Sequence, residues 1–215
     1  MNPKSTKISN NGGKIMYLSD VDIKDFIDKG IIIITPKIHS ENIRPCGIRL
    51  HLSETIYELN SESVEAVDQR DNRIMQNEVL LSKFFKKIDL RELENIGQSY
   101  ILEPGKMILG STVEKIKMPN YMIGFLDGRS TMARFGITNN ITASVIDNMD
   151  NESPKDITLE ISNCGNLRFV LYPDLPIGML MFSILSNCTE TPPSGQYADN
   201  QVIPNLAYIH EKNIL

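Results

Sequence analysis

The sequence predicts an all-β protein, a sandwich or barrel, with one short helix near its start. Three observations predict it. Short runs rich in Ile, Leu and Val recur through the second half of the 215-residue chain at spacings near ten residues, the rhythm of many short strands. Turn signals separate several of them: Pro104-Gly105, Pro119-Asn120, Gly165-Asn166 and Pro173-Asp174. Within runs, apolar and polar residues alternate, as in Ile157, Leu159 and Ile161 against Thr158, Glu160 and Ser162.

Taken in order, residues 1–15 are polar and carry Asn-Asn-Gly-Gly near their end, the composition of a flexible leader. Ser19 then stands as an N-cap with Asp22 three positions on, a variant of the capping box. Val21, Ile23, Phe26 and Ile27 supply the apolar helical face, and Gly30 is placed as the stop. Residues 31–34 form a β-branched run closed by Thr35-Pro36, and Ile48, Leu50 and Leu52 alternate with Arg49, His51 and Ser53. Residues 54–98 are more polar and read as a variable excursion, with a helical turn or two at 89–95. Pro104-Gly105 predicts a type II turn. Strands are expected at 100–102, 107–112, 121–126, 141–146, 157–161, 167–172 and 177–185. Pro192-Pro193-Ser194-Gly195 opens a C-terminal arm. The expected division is a leader (1–15), a β domain (16–189) and an arm (190–215).

Composition narrows the function. Hydrophobic residues are 41% and charged residues 23%, enough apolar content for a packed core. Lys+Arg 22 against Asp+Glu 27 gives a net charge of -5, the wrong sign for coating a nucleic-acid duplex. A small anionic ligand needs only a local cluster of donors. No apolar run approaches the roughly 20 residues that cross a bilayer, and residues 1–15 hold no stretch of signal-peptide type. Cys46, Cys164 and Cys188 are odd in number and far apart, which suggests neither a disulfide framework nor a CxxC site. A reducing, cytoplasmic setting is expected, with no nucleic-acid or membrane partner. The histidines are His39, His51 and His210, with no HxE or HExxH, so the usual zinc-deaminase and zinc-protease ligand sets are missing.

Three stretches could carry chemistry. Residues 127–136 pack Arg129, Ser130, Thr131 and Arg134 between glycines after a strand. Hydroxyls and a guanidinium so placed can converge on phosphate oxygens; the bland alternative is a capped turn with two solvated arginines. Glu160 lies on the polar face of its strand, either solvated or set in a cleft as a proton shuttle. Thr142-Ala143 offers small side chains and open backbone suited to a flat ligand, and Asp147 closes that run as a turn residue or a ligand contact.

Together these stretches resemble the dCTP deaminase branch of the trimeric dUTPase-like superfamily. The resemblance runs over roughly residues 16–204: MYLSDVDI (16–23), ILEPGKMILGSTVEKIKMP (101–119), GRSTMARFGI (128–137), TASVID (142–147), ITLEISN (157–163) and LYPDLPIGMLMF (171–182). It implies a distorted jelly-roll subunit, a homotrimer with active sites at subunit interfaces, and hydrolytic deamination of dCTP to dUTP and ammonia. No zinc is implied; Mg²⁺ would be bound through the nucleotide phosphates. By position, Glu160 would be the catalytic proton shuttle, and Ser130 and the Ala143 carbonyl would hold the water. Arg134 would steady charge at the base. Arg129, Ser130 and Thr131 would grip phosphates, with Met132 and Ala133 in the same substrate-binding turn. Asp147 would lie near the deoxyribose 3′-hydroxyl, and the Thr158 and Leu159 backbone would read the base edge. Gln196, Tyr197, Asn200 and Gln201 would come from an arm that closes over the nucleotide.

The chain departs from that pattern in three places. Gly47-Ile48-Arg49 stands where the family usually has Ser-x-Asp. Residues 148–156 replace Pro-Gly-aromatic and run about three residues longer, and Gln196 replaces the usual Lys before Tyr197. Two other functions stay open at this level: a relative that also, or only, cleaves dUTP to dUMP and diphosphate, and a nucleotide-binding regulatory member without turnover.

Overall fold

The computed structural model describes residues 16–59, 85–94, 97–147 and 153–190. Its elements form for local reasons the sequence states. Helix α1 (Asp20–Asp28) starts where the Ser19 hydroxyl accepts from the Asp22 amide at 3.3 Å while Asp22 Oδ2 accepts from the Ser19 amide at 3.1 Å. That reciprocal box satisfies two donors the first turn leaves open. Hydrogen bonds from Ser19 hold the Asp22 carboxyl below the usual carboxylate range. The helix stops at Lys29, with Gly30 at φ 67, a left-handed value glycine tolerates. Ile23 is its buried anchor, with Phe26 and Ile27 packed at the core margin. Val21, expected on that face, is 69% exposed.

Thirteen strands are found among the described residues: β1 (Met16–Tyr17), β2 (Ile33–Thr35), β3 (Ile43–Arg44), β4 (Gly47–Leu59), β5 (Phe85–Asp89), β6 (Tyr100–Leu102), β7 (Met107–Lys117), β8 (Met122–Gly128), β9 (Ile137–Thr138), β10 (Val145–Ile146), β11 (Lys155–Asn163), β12 (Phe169–Leu171) and β13 (Pro176–Ile184). Eleven of them make one curled antiparallel sheet along the order β10-β8-β13-β4-β7-β11-β9, with β1, β2, β3 and β5 branching from it; β6 and β12 pair separately. Shifts in register interrupt β4 against β7 and β13, and β11 against β7. Such irregularities bend strands and let a sheet close on itself. The inner face carries Ile48, Leu50, Leu52 and Ile56 of β4, Leu159 and Ile161 of β11, and Leu180 and Phe182 of β13, all buried. Burying each such side chain stabilises the fold by roughly 1.5–3 kcal/mol.

Several expected boundaries shift. The excursion expected at 54–98 contributes to the sheet at both ends: β4 runs on to Leu59, and β5 pairs back along it from Leu59↔Phe85 to Thr55↔Asp89. A single 3-10 turn (Leu90–Glu92), capped by Asp89 on the Arg91 amide, stands where one or two helical turns were expected. The turn at 103–106 closes with Gly105 at φ 74 and a 3.2 Å bond from Lys106 to Glu103, as a type II turn requires. The strand expected at 141–146 shrinks to β10, because residues 141–143 are exposed and the Ile141 amide is taken by a side chain of β11. Asn163, fully buried, ties β11 to the β6–β12 pair: its amide donates to Leu102 and Leu167 carbonyls and its oxygen accepts from Gly165.

Candidate active site

Strand β8 ends at Gly128, and the chain turns at once into α2 (Ser130–Ala133). Arg129 is extended at φ -99, ψ 134, which swings its side chain back across the sheet, where Nη1 donates to the Pro176 carbonyl at 2.8 Å. Met132 is buried and holds the turn to the core, so its side chain is not open to a ligand. Gly136 ends the turn at φ 79; a Cβ there would lie 2.5 Å from the Gly165 amide, so the position admits no side chain. Ser130 and Thr131 are exposed. They open onto a cleft of about 220 Å³ lined by Arg44, Arg49, Gly128, Arg129, Ser130, Thr131, Gly178 and Met179. Burial, then the nearby Arg49 and Arg44, push the Arg129 guanidinium below its ordinary value, with Tyr172 opposing. The cleft is therefore cationic, with two hydroxyls and no carboxylate in its lining.

Glu160 stands on β11, paired with Leu109 of β7. It is half-buried, and its Oε2 accepts from the Ile141 amide at 3.1 Å. The carboxylate is thus turned toward the exposed Thr142-Ala143 backbone. The loop around it is tied down on both sides. The Glu160 amide donates to the Asn139 carbonyl at 3.0 Å, Asn140 Nδ2 reaches the Leu126 carbonyl, and the Leu126 amide donates to Ser144 at 2.8 Å. Asn139 itself is 1% exposed and donates to the carbonyls of Asp127 and Ile177, each at 3.2 Å. A Cβ on Gly178 would come within 2.4 Å of that amide nitrogen. Asn139 therefore links the floor of the arginine cleft to the strand of Glu160. Its Oδ1 is buried with no partner among the described residues.

The structure brings Arg129, Ser130 and Thr131 together in one cleft and sets Glu160 beside the 141–143 loop. Glu160, Arg134 and Ala143 do not line that cleft. Arg134 is exposed at the end of α2, and Ala133 and Asp147 are exposed as well. Thr158 is half-buried and the Leu159 side chain fully buried, so Leu159 presents only backbone. Gln196, Tyr197, Asn200 and Gln201 lie outside the described residues. Sequence reasoning missed Arg44, Arg49 and Asn139 as site residues. The alternation of β4 did put Arg49 on the outer face, but nothing local showed which residues would meet it there. Among the described residues no three His, Cys, Asp or Glu side chains converge as a metal-ligand group.

The family model described as dCTP deaminase-like matches residues 17–185. A dCTP deaminase of Glaesserella parasuis is 32% identical over 186 residues, covering 82% of this chain and 88% of the relative. A dUMP-forming dCTP deaminase of Methanosphaera stadtmanae is 30% identical over 198 residues, covering 90% and 94%. In structure, the 2′-deoxycytidine 5′-triphosphate deaminase of Agrobacterium tumefaciens superposes with a TM-score of 0.58 at 17% identity. That match covers 79% of this chain and 48% of the other, and its likeness is one of fold: an all-β subunit of jelly-roll type. With the match running from β1 to the end of β13 and taking in both the arginine turn and the strand of Glu160, the chain belongs to the dCTP deaminase-like family.

Proposed function

We propose that this protein is a hydrolase that converts dCTP to dUTP and ammonia, with Glu160 as the proton shuttle. The observation that carries the reading is the placement of the Glu160 carboxylate, held by the Ile141 amide beside open backbone at Thr142-Ala143. Relatives of near-equal length that are named dCTP deaminases support the substrate. In this reading a water held by Ser130 and the Ala143 carbonyl adds to C4 of the cytosine. Glu160 takes a proton from the water and delivers it to N3. The proton of the new C4 hydroxyl, again passed through Glu160, goes to the exocyclic amine, the C4–N bond breaks, ammonia leaves and C4 keeps the oxygen as a carbonyl. Arg134 steadies charge at the ring. The reading needs no zinc.

Arg129, Ser130 and Thr131 hold the phosphates, Asp147 meets the sugar hydroxyl, and Gln196, Tyr197, Asn200 and Gln201 close over the nucleotide. Mg²⁺ enters with the substrate. The cleft offers two hydroxyls and no carboxylate, which fits an ion held by phosphate oxygens and water rather than by the protein; such an ion would neutralise phosphate charge. The active unit is a cytoplasmic homotrimer with sites at subunit interfaces. Exposed Ile101, Leu167 and Val170 at the β6–β12 pair, with Phe135 packed on Phe169, leave apolar surface for another copy to cover.

Glu160→Gln tests the mechanism. Ammonia release from dCTP should fall by about 10² to 10⁴, the range for proton shuttling, while calorimetric binding of dCTP persists. Turnover equal to the unmodified protein would falsify the role given to Glu160. A second reading has the dUTP cleaved onward to dUMP, favoured by the dUMP-forming relative that matches 90% of this chain. Measuring ammonia and diphosphate separately, from dCTP and from dUTP, divides the two: diphosphate release marks the second.

A further inference from the structure

We propose that Arg44 and Arg49 complete, with Arg129, a three-guanidinium wall that holds the nucleotide's polyphosphate and favours triphosphate over monophosphate. The inference rests on the nucleotide reading above and adds residues which that reading did not include. The sheet builds the wall. Arg44 of β3 pairs with Gly47 of β4. Paired residues share a face, as do residues two apart on one strand, so Arg44, Gly47 and Arg49 leave the sheet on the same side. Gly47 has no side chain to fill the space between the two stems, and a Cβ there would lie 2.5 Å from the Leu180 carbonyl. Arg49 in turn pairs with Met179 of β13, which pairs with Asp127 of β8. The row across the sheet therefore leads to the turn that carries Arg129.

Asp127, paired with Met179, and Glu114, bonded to His51, are each engaged. Asp127 Oδ1 accepts from the Gly128 amide at 2.7 Å. Glu114 accepts from both the amide and the ring nitrogen of His51, the next outward residue along β4. Among the described residues no ion pair within 4 Å involves Arg44, Arg49 or Arg129. Three like charges gathered without a counter-ion among the described residues, in a chain of net charge -5, repel one another; burial first, and this repulsion after it, lower the proton affinity of Arg129. A bound polyanion removes that repulsion. Arg129 spends one donor on Pro176 and keeps the rest of its five. The cleft, about 220 Å³, is smaller than the roughly 300–1,000 Å³ that encloses whole small ligands, so it suits a phosphate tail with the base and sugar outside.

The test is calorimetric titration of the full chain, as Arg44→Gln, Arg49→Gln and the double variant, with inorganic tripolyphosphate, dCTP and dCMP. Each single change should weaken tripolyphosphate and dCTP about tenfold or more and dCMP less than threefold, and the loss in dCTP turnover should fall on KM rather than kcat. Affinity should also become less sensitive to salt. Arg49→Lys, which keeps the charge and the stem, should recover part of the loss; it also serves if the glutamine variant does not fold. Tripolyphosphate and dCTP affinities within twofold of the unmodified protein in the double variant overturn the proposal and leave deamination standing. Tripolyphosphate binding that vanishes with the arginines, in a protein that releases no ammonia from dCTP, upholds the wall and removes the deamination reading instead.

Discussion

Asn139 illustrates how much one buried polar side chain can organise. Its side-chain amide spans two carbonyls on neighbouring strands, Asp127 on β8 and Ile177 on β13, and its backbone carbonyl accepts from the Glu160 amide. Asn139→Ala strips both carbonyls of a buried donor, and each unsatisfied group costs about 1–3 kcal/mol. We expect a loss of roughly 2–4 kcal/mol in urea denaturation, with lower kcat because the loop that bonds the Glu160 strand through its backbone loses its side-chain tether to β8 and β13. Unchanged stability would mean water replaces the amide without penalty. At this scale Glu160 was legible: alternation placed it on the polar face of its strand. Arg49 was legible as an outward residue. Asn139 was not, because an Asn-Asn pair before a strand reads equally well as an exposed turn, and only the packing of β8, β13 and β11 around it buries it.

The elements follow their local signals closely where those signals are chemical. The Ser19–Asp22 box was legible in the sequence and is present in full. Ser19→Ala should cost about 0.5–2 kcal/mol at neutral pH. Because Asp22 titrates lower in the folded protein than in the unfolded chain, its contribution is complete above the unfolded value, about 3.9. It is lost as pH falls through the folded value. The difference between the two proteins in thermal midpoint should therefore narrow in strong acid; a gap that stays constant there would assign the effect to helix propensity alone. Strand limits were less legible. β4 continues through Glu54 to Leu59, past the run whose alternation marks it as a strand, because β7 and β5 supply partners, and a partner's ladder outweighs a weak local preference. The run at 141–146 has the composition of a strand, yet only Val145 and Ile146 find a neighbour, in β8.

At the scale of the whole molecule, stability should depend on alkaline pH through Tyr100. Its hydroxyl donates to Glu58 Oε1 at 2.9 Å, joining the separate β6–β12 pair to the main sheet. Burial first, then the Glu58 carboxylate and Glu103, push the phenol well above its usual value. A raised folded value contributes stability in full below the unfolded value, near 10, and loses it as pH rises through the folded one. Thermal midpoints should therefore fall more steeply above about pH 10 in the unmodified protein than in Tyr100→Phe; parallel slopes would contradict this. The oligomer is checked at the same scale: light scattering should give about three times the 24.3 kDa chain, and a monomer that still turns over dCTP would remove the interface sites proposed above.

By itself the sequence determined the fold class, the helix with its cap, the turn at Pro104-Gly105 and the identity of the arginine–hydroxyl stretch. Each of these is encoded in neighbours within a few residues, through periodicity, capping and turn chemistry. Only the tertiary structure decided that Arg44 and Arg49, some 80 residues before Arg129 in the chain, share its cleft, and that Asn139 couples that cleft to Glu160. Those relations depend on sheet order, in which β13 lies between β4 and β8. That adjacency comes from long-range pairing, and no local stretch of sequence carries it.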